Sequence, residues 1–110
     1  MAKPRVYSKV TQEAIKLLSR QIKIARKQRG WSENELATRA GIARATVQKI
    51  ERGDLGCAIG LVFEVAIVVG VRLFDAELNS LKAHTRHADE ILVLLPKHTH
   101  TSKRVVNDAF

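Results

Sequence analysis

The chain has 110 residues, a formal net charge of +8 and a pI near 10.2, which fits one compact domain with a modest core and little left for a second. The charge is divided: residues 1–53 hold thirteen Lys/Arg against four Asp/Glu, a net of +9, and residues 54–110 hold six against seven, a net of −1, so one half is suited to a polyanion and the other to something else. A lone cysteine, Cys57, excludes an internal disulfide, the basic start is not followed by the apolar run of a secretory signal, and the apolar stretch 61–71 is interrupted by Glu64 and Gly70 and too short to span a bilayer.

Residues 1–10 read as a basic lead-in with Pro4. A first helix is expected to start at Thr11 as N-cap, with Val10 and Ile15 as the hydrophobic staple around it. Ile15, Leu18, Ile22 and Ala25 recur at helical spacing, Leu17 and Ile24 broaden that stripe, and Gly30 ends the helix. Ser32 and Glu35 stand at capping-box spacing and open a short second helix over about 33–40, with Leu36, Ala37 and Ala40 inward. Gly41 supplies a tight turn, and a third helix follows over about 44–52 with Val47 and Ile50 buried. The fourth, about 58–69, is apolar nearly all round, which requires burial on more than one side and hence a partner surface. A fifth, about 75–95, has Leu78, Leu81, Ala88, Ile91, Leu92 and Leu95 on its apolar side and Pro96 at its end. Residues 97–110 are a polar tail without helical period, expected to be flexible.

The stretch 26–53, RKQRGWSENELATRAGIARATVQKIERG, is the most informative. Two short helices joined by an Ala-Gly turn place the second across the first, so that its outer face can enter a major groove. With Ser32 and Glu35 of SENEL, Ala37, Gly41, Val47 and the run Ile50-Glu51-Arg52-Gly53, the chain resembles the Cro/repressor-like helix-turn-helix family over about residues 18–75. The resemblance implies that Arg26 and Glu51 form a structural ion pair between the first and third helices. It also implies that the recognition helix runs from Ala43 to Arg52 and presents Arg44, Ala45, Thr46, Gln48 and Lys49 to base edges. Those side chains have the chemistry for base reading. Arg and Lys donate to guanine, Gln pairs with adenine, and Ala45 and the Thr46 methyl meet thymine methyls. Lys27, Arg29 and Arg39 are the candidates for phosphate contact. Two positions depart from the family pattern. Ala43 replaces the usual Ser or Thr cap of the recognition helix. Glu33 replaces a Gln that meets a phosphate, and a carboxylate there repels one.

The flanks add a closer likeness. Residues 1–30, the segment GLVFEVAIVVGVRLF and the ending VNDAF resemble HipB-type antitoxins, which accompany HipA-like serine/threonine kinase toxins. This implies a homodimer on an operator with an inverted repeat, recognition helices about one DNA turn (roughly 34 Å) apart, and a complex that holds the kinase inactive.

The expected architecture is therefore all-α and five-helical: a lead-in at 1–10, a DNA-binding domain at 11–75, a dimerisation helix at 76–96 and a tail at 97–110. Leu61, Ile67, Val68 and Leu92 are expected at the dimer interface, and the cytoplasm is the expected compartment. No phosphate loop or nucleophile elbow is present, so no enzyme activity and no cofactor are expected. His84 and His87, three apart, and His98 and His100 in the tail lack the cysteine or carboxylate that would complete a metal set. Two alternatives stay open: a free-standing transcriptional repressor of phage type, and a module that mainly docks on a protein.

Overall fold

The computed structural model describes residues 5–74 and 77–97. Among them it contains five α-helices and no strand: α1 (Lys9–Gln28), α2 (Glu33–Ala40), α3 (Arg44–Glu51), α4 (Ile59–Val69) and α5 (Leu78–Leu94). The tail beyond residue 97, with His98 and His100, lies outside the described residues. The chain divides into two compact units, one ending at Leu73 and one beginning at Phe74. At the junction Phe74 has a φ of 61°, a left-handed conformation that a bulky residue seldom adopts.

In the first unit α2 packs on α3 and α4, and α1 packs on α3 and α4. Each helix contributes one or more side chains to a single core: Ile22 from α1, Leu36 and Ala37 from α2, Val47 and Ile50 from α3, and Val65, Ala66 and Val69 from α4. Burial of each large aliphatic among them contributes about 1.5–3 kcal/mol. Leu17 and Ile24 do not widen the buried stripe of α1. They lie on the other side of the helix from Ile22 and are exposed, because residues two and five positions from a core residue face away at 3.6 residues per turn.

The start of α1 also differs from expectation. Ser8, not Thr11, is the N-cap: its Oγ accepts from the Thr11 backbone N–H at 3.2 Å, and the helix begins at Lys9. Ser and Thr cap comparably, so two candidates three residues apart cannot be separated by pattern alone. At α2 the Ser32 half of the box is seen, with Ser32 Oγ accepting from the Glu35 N–H at 3.0 Å, while the Glu35 carboxylate faces Arg39 at 3.8 Å.

Helices α1 to α4 all stop in one way, with paired backbone bonds reaching back across a residue of positive φ. At α2 the Ile42 N–H donates to Ala37 O and the Gly41 N–H to Thr38 O, with Gly41 at φ 70°. The turn leaves three residues between α2 and α3 and thereby fixes how α3 crosses α2. At α4 the pair is Val71 to Ala66 and Gly70 to Ile67, with Gly70 at φ 89°. Here a second constraint acts: a Cβ on Gly70 would stand 2.8 Å from Arg29 Nη2.

Candidate nucleic-acid interface

The orientation of α3 follows from its sequence. Val47, Ile50 and Glu51 are buried, so at helical spacing Arg44, Ala45 and Lys49 are turned to solvent, and Thr46 and Gln48 lie half-buried at the edges. Five sequence-selected residues thus share one outward surface on a helix of eight residues, about 12 Å long. Ala43 precedes the helix in extended conformation and gives no side-chain cap.

What holds α3 rigid is a buried ion pair. Arg26 Nε donates to Glu51 Oε2 at 2.6 Å, and Nη2 donates to Glu51 Oε1 at 2.9 Å, a bidentate pair between α1 and α3. Arg26 Nη1 donates to the Trp31 carbonyl at 2.8 Å. Donating to the Glu51 carboxylate raises the Arg26 guanidinium above its ordinary range, against the opposing effect of burial. A guanidinium committed in this way is costly to leave unpaired.

Trp31 does more than pack. The Arg39 guanidinium lies over its ring at 4.2 Å from the centroid, and that of Arg29 at 5.1 Å, both within cation–π range. Arg39 also faces Glu35 at 3.8 Å, with about half its side chain exposed, so it is steered but open to an anion. Arg29 is drawn elsewhere: its Nε donates to the Val69 carbonyl at 2.9 Å, at the end of α4. Of the three residues selected for phosphate contact, then, all are exposed, but Arg29 is also engaged in the fold; Lys27 stands in the last turn of α1 and Arg39 in the last turn of α2.

Glu33 is half-buried, and its Oε1 accepts from Gln48 Nε2 at 3.5 Å. The departure from the family pattern on α2 thus meets a selected reading residue on α3. Residue pairs across the turn are invisible to a one-dimensional pattern, and so are the bonds from Arg29 to Val69 and the contact of Arg39 with Trp31. Ser19 is a further example. It is buried, it donates to the Lys16 carbonyl at 2.7 Å, and it accepts from Arg20.

Of the residues selected for a dimer surface, three are on α4 and one is on α5. On α4, Leu61, Glu64, Ile67 and Val68 occupy the side away from Val65, Ala66 and Val69; Ile67 is 56% exposed and Val68 half-buried. Leu92 on α5 is 64% exposed. Cys57 lines an apolar groove of about 240 Å³ with Leu18, Ile50, Val62 and Phe63. Burial, and then Asp54, push its thiol up. His87 faces Glu90 at 4.0 Å, and no set of three metal-ligating side chains occurs among the described residues. No described helix is long and apolar enough to cross a membrane.

Residues 22–73 match the family model described as helix-turn-helix. Among solved structures, the chain is similar to a chain of a HipA-HipB-O2-O3 complex, with a TM-score of 0.51 at 23% identity over 68% of this chain and 97% of that one. It is also similar to a chain of a complex between a HipB variant and an O2 20mer (TM-score 0.49, 26% identity, 69% and 100% covered) and to one described as MDT protein (TM-score 0.49, 26% identity, 68% and 100%). No curated protein sequence matches the chain.

Proposed function

We propose, from the premise that residues 22–73 are a helix-turn-helix DNA-binding domain, that the chain is a dimeric antitoxin that represses its own operon in a type II toxin–antitoxin system of the cytoplasm. The observation that carries the DNA-binding part is the division of α3. Its inner face is fixed by Val47, Ile50 and the Arg26–Glu51 pair, and its outer face offers Arg44, Ala45, Thr46, Gln48 and Lys49. In this reading α3 enters the major groove, those five residues meet base edges, and Lys27 and Arg39 meet phosphates. Arg29 serves mainly to hold α4. A homodimer through Leu61, Ile67 and Val68 of α4 and Leu92 of α5 sets two such helices on the halves of an inverted repeat. No catalytic role and no cofactor enter the reading.

The proposed protein partner is a HipA-like serine/threonine kinase. The likeness of the flanks to HipB-type antitoxins supports it, and so does the fold shared with a chain of a HipA–HipB complex. The test is to purify the tagged protein from its native host, identify what accompanies it by mass spectrometry, and footprint it on DNA upstream of its own gene. A kinase in stoichiometric amount and protection of an inverted repeat are expected. Protection without a kinase makes the chain a free-standing repressor; a protein partner without any protected DNA makes it a docking module.

A further inference from the structure

Three arginines of the first unit meet at Trp31. Arg26, besides its bond to Glu51, holds the Trp31 backbone through both of its polar groups. Its guanidinium donates to the Trp31 carbonyl at 2.8 Å, and its own carbonyl accepts from the Trp31 N–H at 3.2 Å. The half-buried indole packs against the core and carries the other two guanidiniums, Arg39 at 4.2 Å and Arg29 at 5.1 Å from the ring centroid. These two are used differently. Arg29 also gives its Nε to the Val69 carbonyl, so it serves the fold. Arg39 is exposed, and its ion-pair partner Glu35 stands at 3.8 Å, beyond hydrogen-bond length.

We propose that Trp31 is a positioning residue for the DNA backbone: its ring holds the Arg39 guanidinium ordered before DNA arrives, with the N–H edge left for a phosphate. Stacking on an aromatic ring engages the flat face of a guanidinium, whereas its five N–H donors point outward in its plane. The ring therefore fixes Arg39 without consuming the donors that a phosphate needs. An arginine on a bare surface loses the freedom of a long side chain on binding, and one already held by a ring loses less. The ring is itself fixed, because the guanidinium that locks α3 through Glu51 also pins the Trp31 carbonyl. Phosphate contact and reading helix thus share one support. The inference rests on the DNA-binding part of the proposed function.

A double-mutant cycle and fluorescence on the full chain test it. Trp31 is the only tryptophan, so tryptophan emission reports this ring alone. The probe is a short DNA duplex of arbitrary sequence at low salt, because a phosphate contact does not depend on base sequence. Trp31→Leu is expected to weaken binding about three- to tenfold and to flatten the salt dependence as Arg39→Ala does. Trp31→Phe, which keeps a ring, is expected to retain most of the affinity. In an Arg39→Ala background Trp31→Leu is expected to cost little more. Duplex binding should change the emission of the unaltered chain, and Arg39→Ala should abolish that change. A loss from Trp31→Leu that is as large without Arg39 as with it overturns the proposal and makes Trp31 a packing residue. Emission that is unchanged on binding, or that changes equally in Arg39→Ala, overturns it as well, and that measurement does not require Trp31→Leu to fold. An unaltered chain that binds no duplex at low salt removes the DNA-binding reading itself, and this role of Trp31 with it.

Discussion

Helices α3 and α5 are both open to solvent, but they are built in opposite ways. α3 exposes polar and basic side chains above an inner face locked by Val47, Ile50 and the Glu51–Arg26 pair. α5 buries nothing fully and exposes Leu78, Leu92 and Leu94. A surface like that of α3 is at ease in water and gains from a charged, polar ligand that can leave again. One like that of α5 is costly in water and gains from a lasting apolar neighbour. In the proposed reading the two helices therefore serve partners of different kinds, and α3 is tied to α1 by the Arg26–Glu51 pair.

The support of α3 is the place to strike hardest. Glu51→Ala leaves a buried guanidinium without its partner and is expected to destabilise the domain by about 3–5 kcal/mol in urea unfolding. The double change Arg26→Met with Glu51→Leu is expected to recover most of that loss. Because Arg26 is held above its ordinary range, its contribution is complete below the unfolded-state value and fades only as the pH climbs through the raised one. Stability should therefore show no titration of Arg26 across neutral pH. Gln48→Ala is expected to cost about 1–3 kcal/mol of discrimination at one operator base pair, measured by competition binding; equal losses on operator and random DNA would remove Gln48 from the readers. Combined with Glu33→Ala, the losses should fall short of additive if the 3.5 Å contact orients the amide.

On the apolar side, Ile67→Lys is expected to dissociate the dimer in sedimentation while leaving thermal unfolding of the monomer little changed, since Ile67 is 56% exposed. A clear fall in stability instead would mean that Ile67 supports the monomer. The smallest effect belongs to Arg39→Ala. It should weaken all DNA equally and reduce the salt slope by about 1, and an unchanged slope would exclude a phosphate contact.

The helix order and the capping of α2 are legible in the sequence because both are local: apolar period, Ser32 with Glu35, and glycines after each of α1 to α4. The Arg26–Glu51 pairing is accessible only through family likeness, since nothing in spacing joins residues 26 and 51. The entry of α1 is misplaced by a turn in the sequence reading because Ser8 and Thr11 compete for one role. The exposed Leu17 and Ile24 show a different limit: an apolar residue in a helix is not a core residue unless it shares the buried face. The anchoring of Arg29 at Val69 and the Glu33–Gln48 contact depend on where α4 and α3 come to rest, which no local rule reports.

The bond from Arg29 to Val69 links residues forty positions apart, and Gly70, without a side chain, leaves room for the Arg29 guanidinium beside it. During synthesis, α1, α2 and α3 emerge first and hold only contacts among themselves. The clasp cannot close until Gly70 has left the ribosome. A nascent chain halted before that point should be cut readily by protease within α1, and one extended past Leu73 should resist. The chain would thus complete its core only once the end of α4 has emerged.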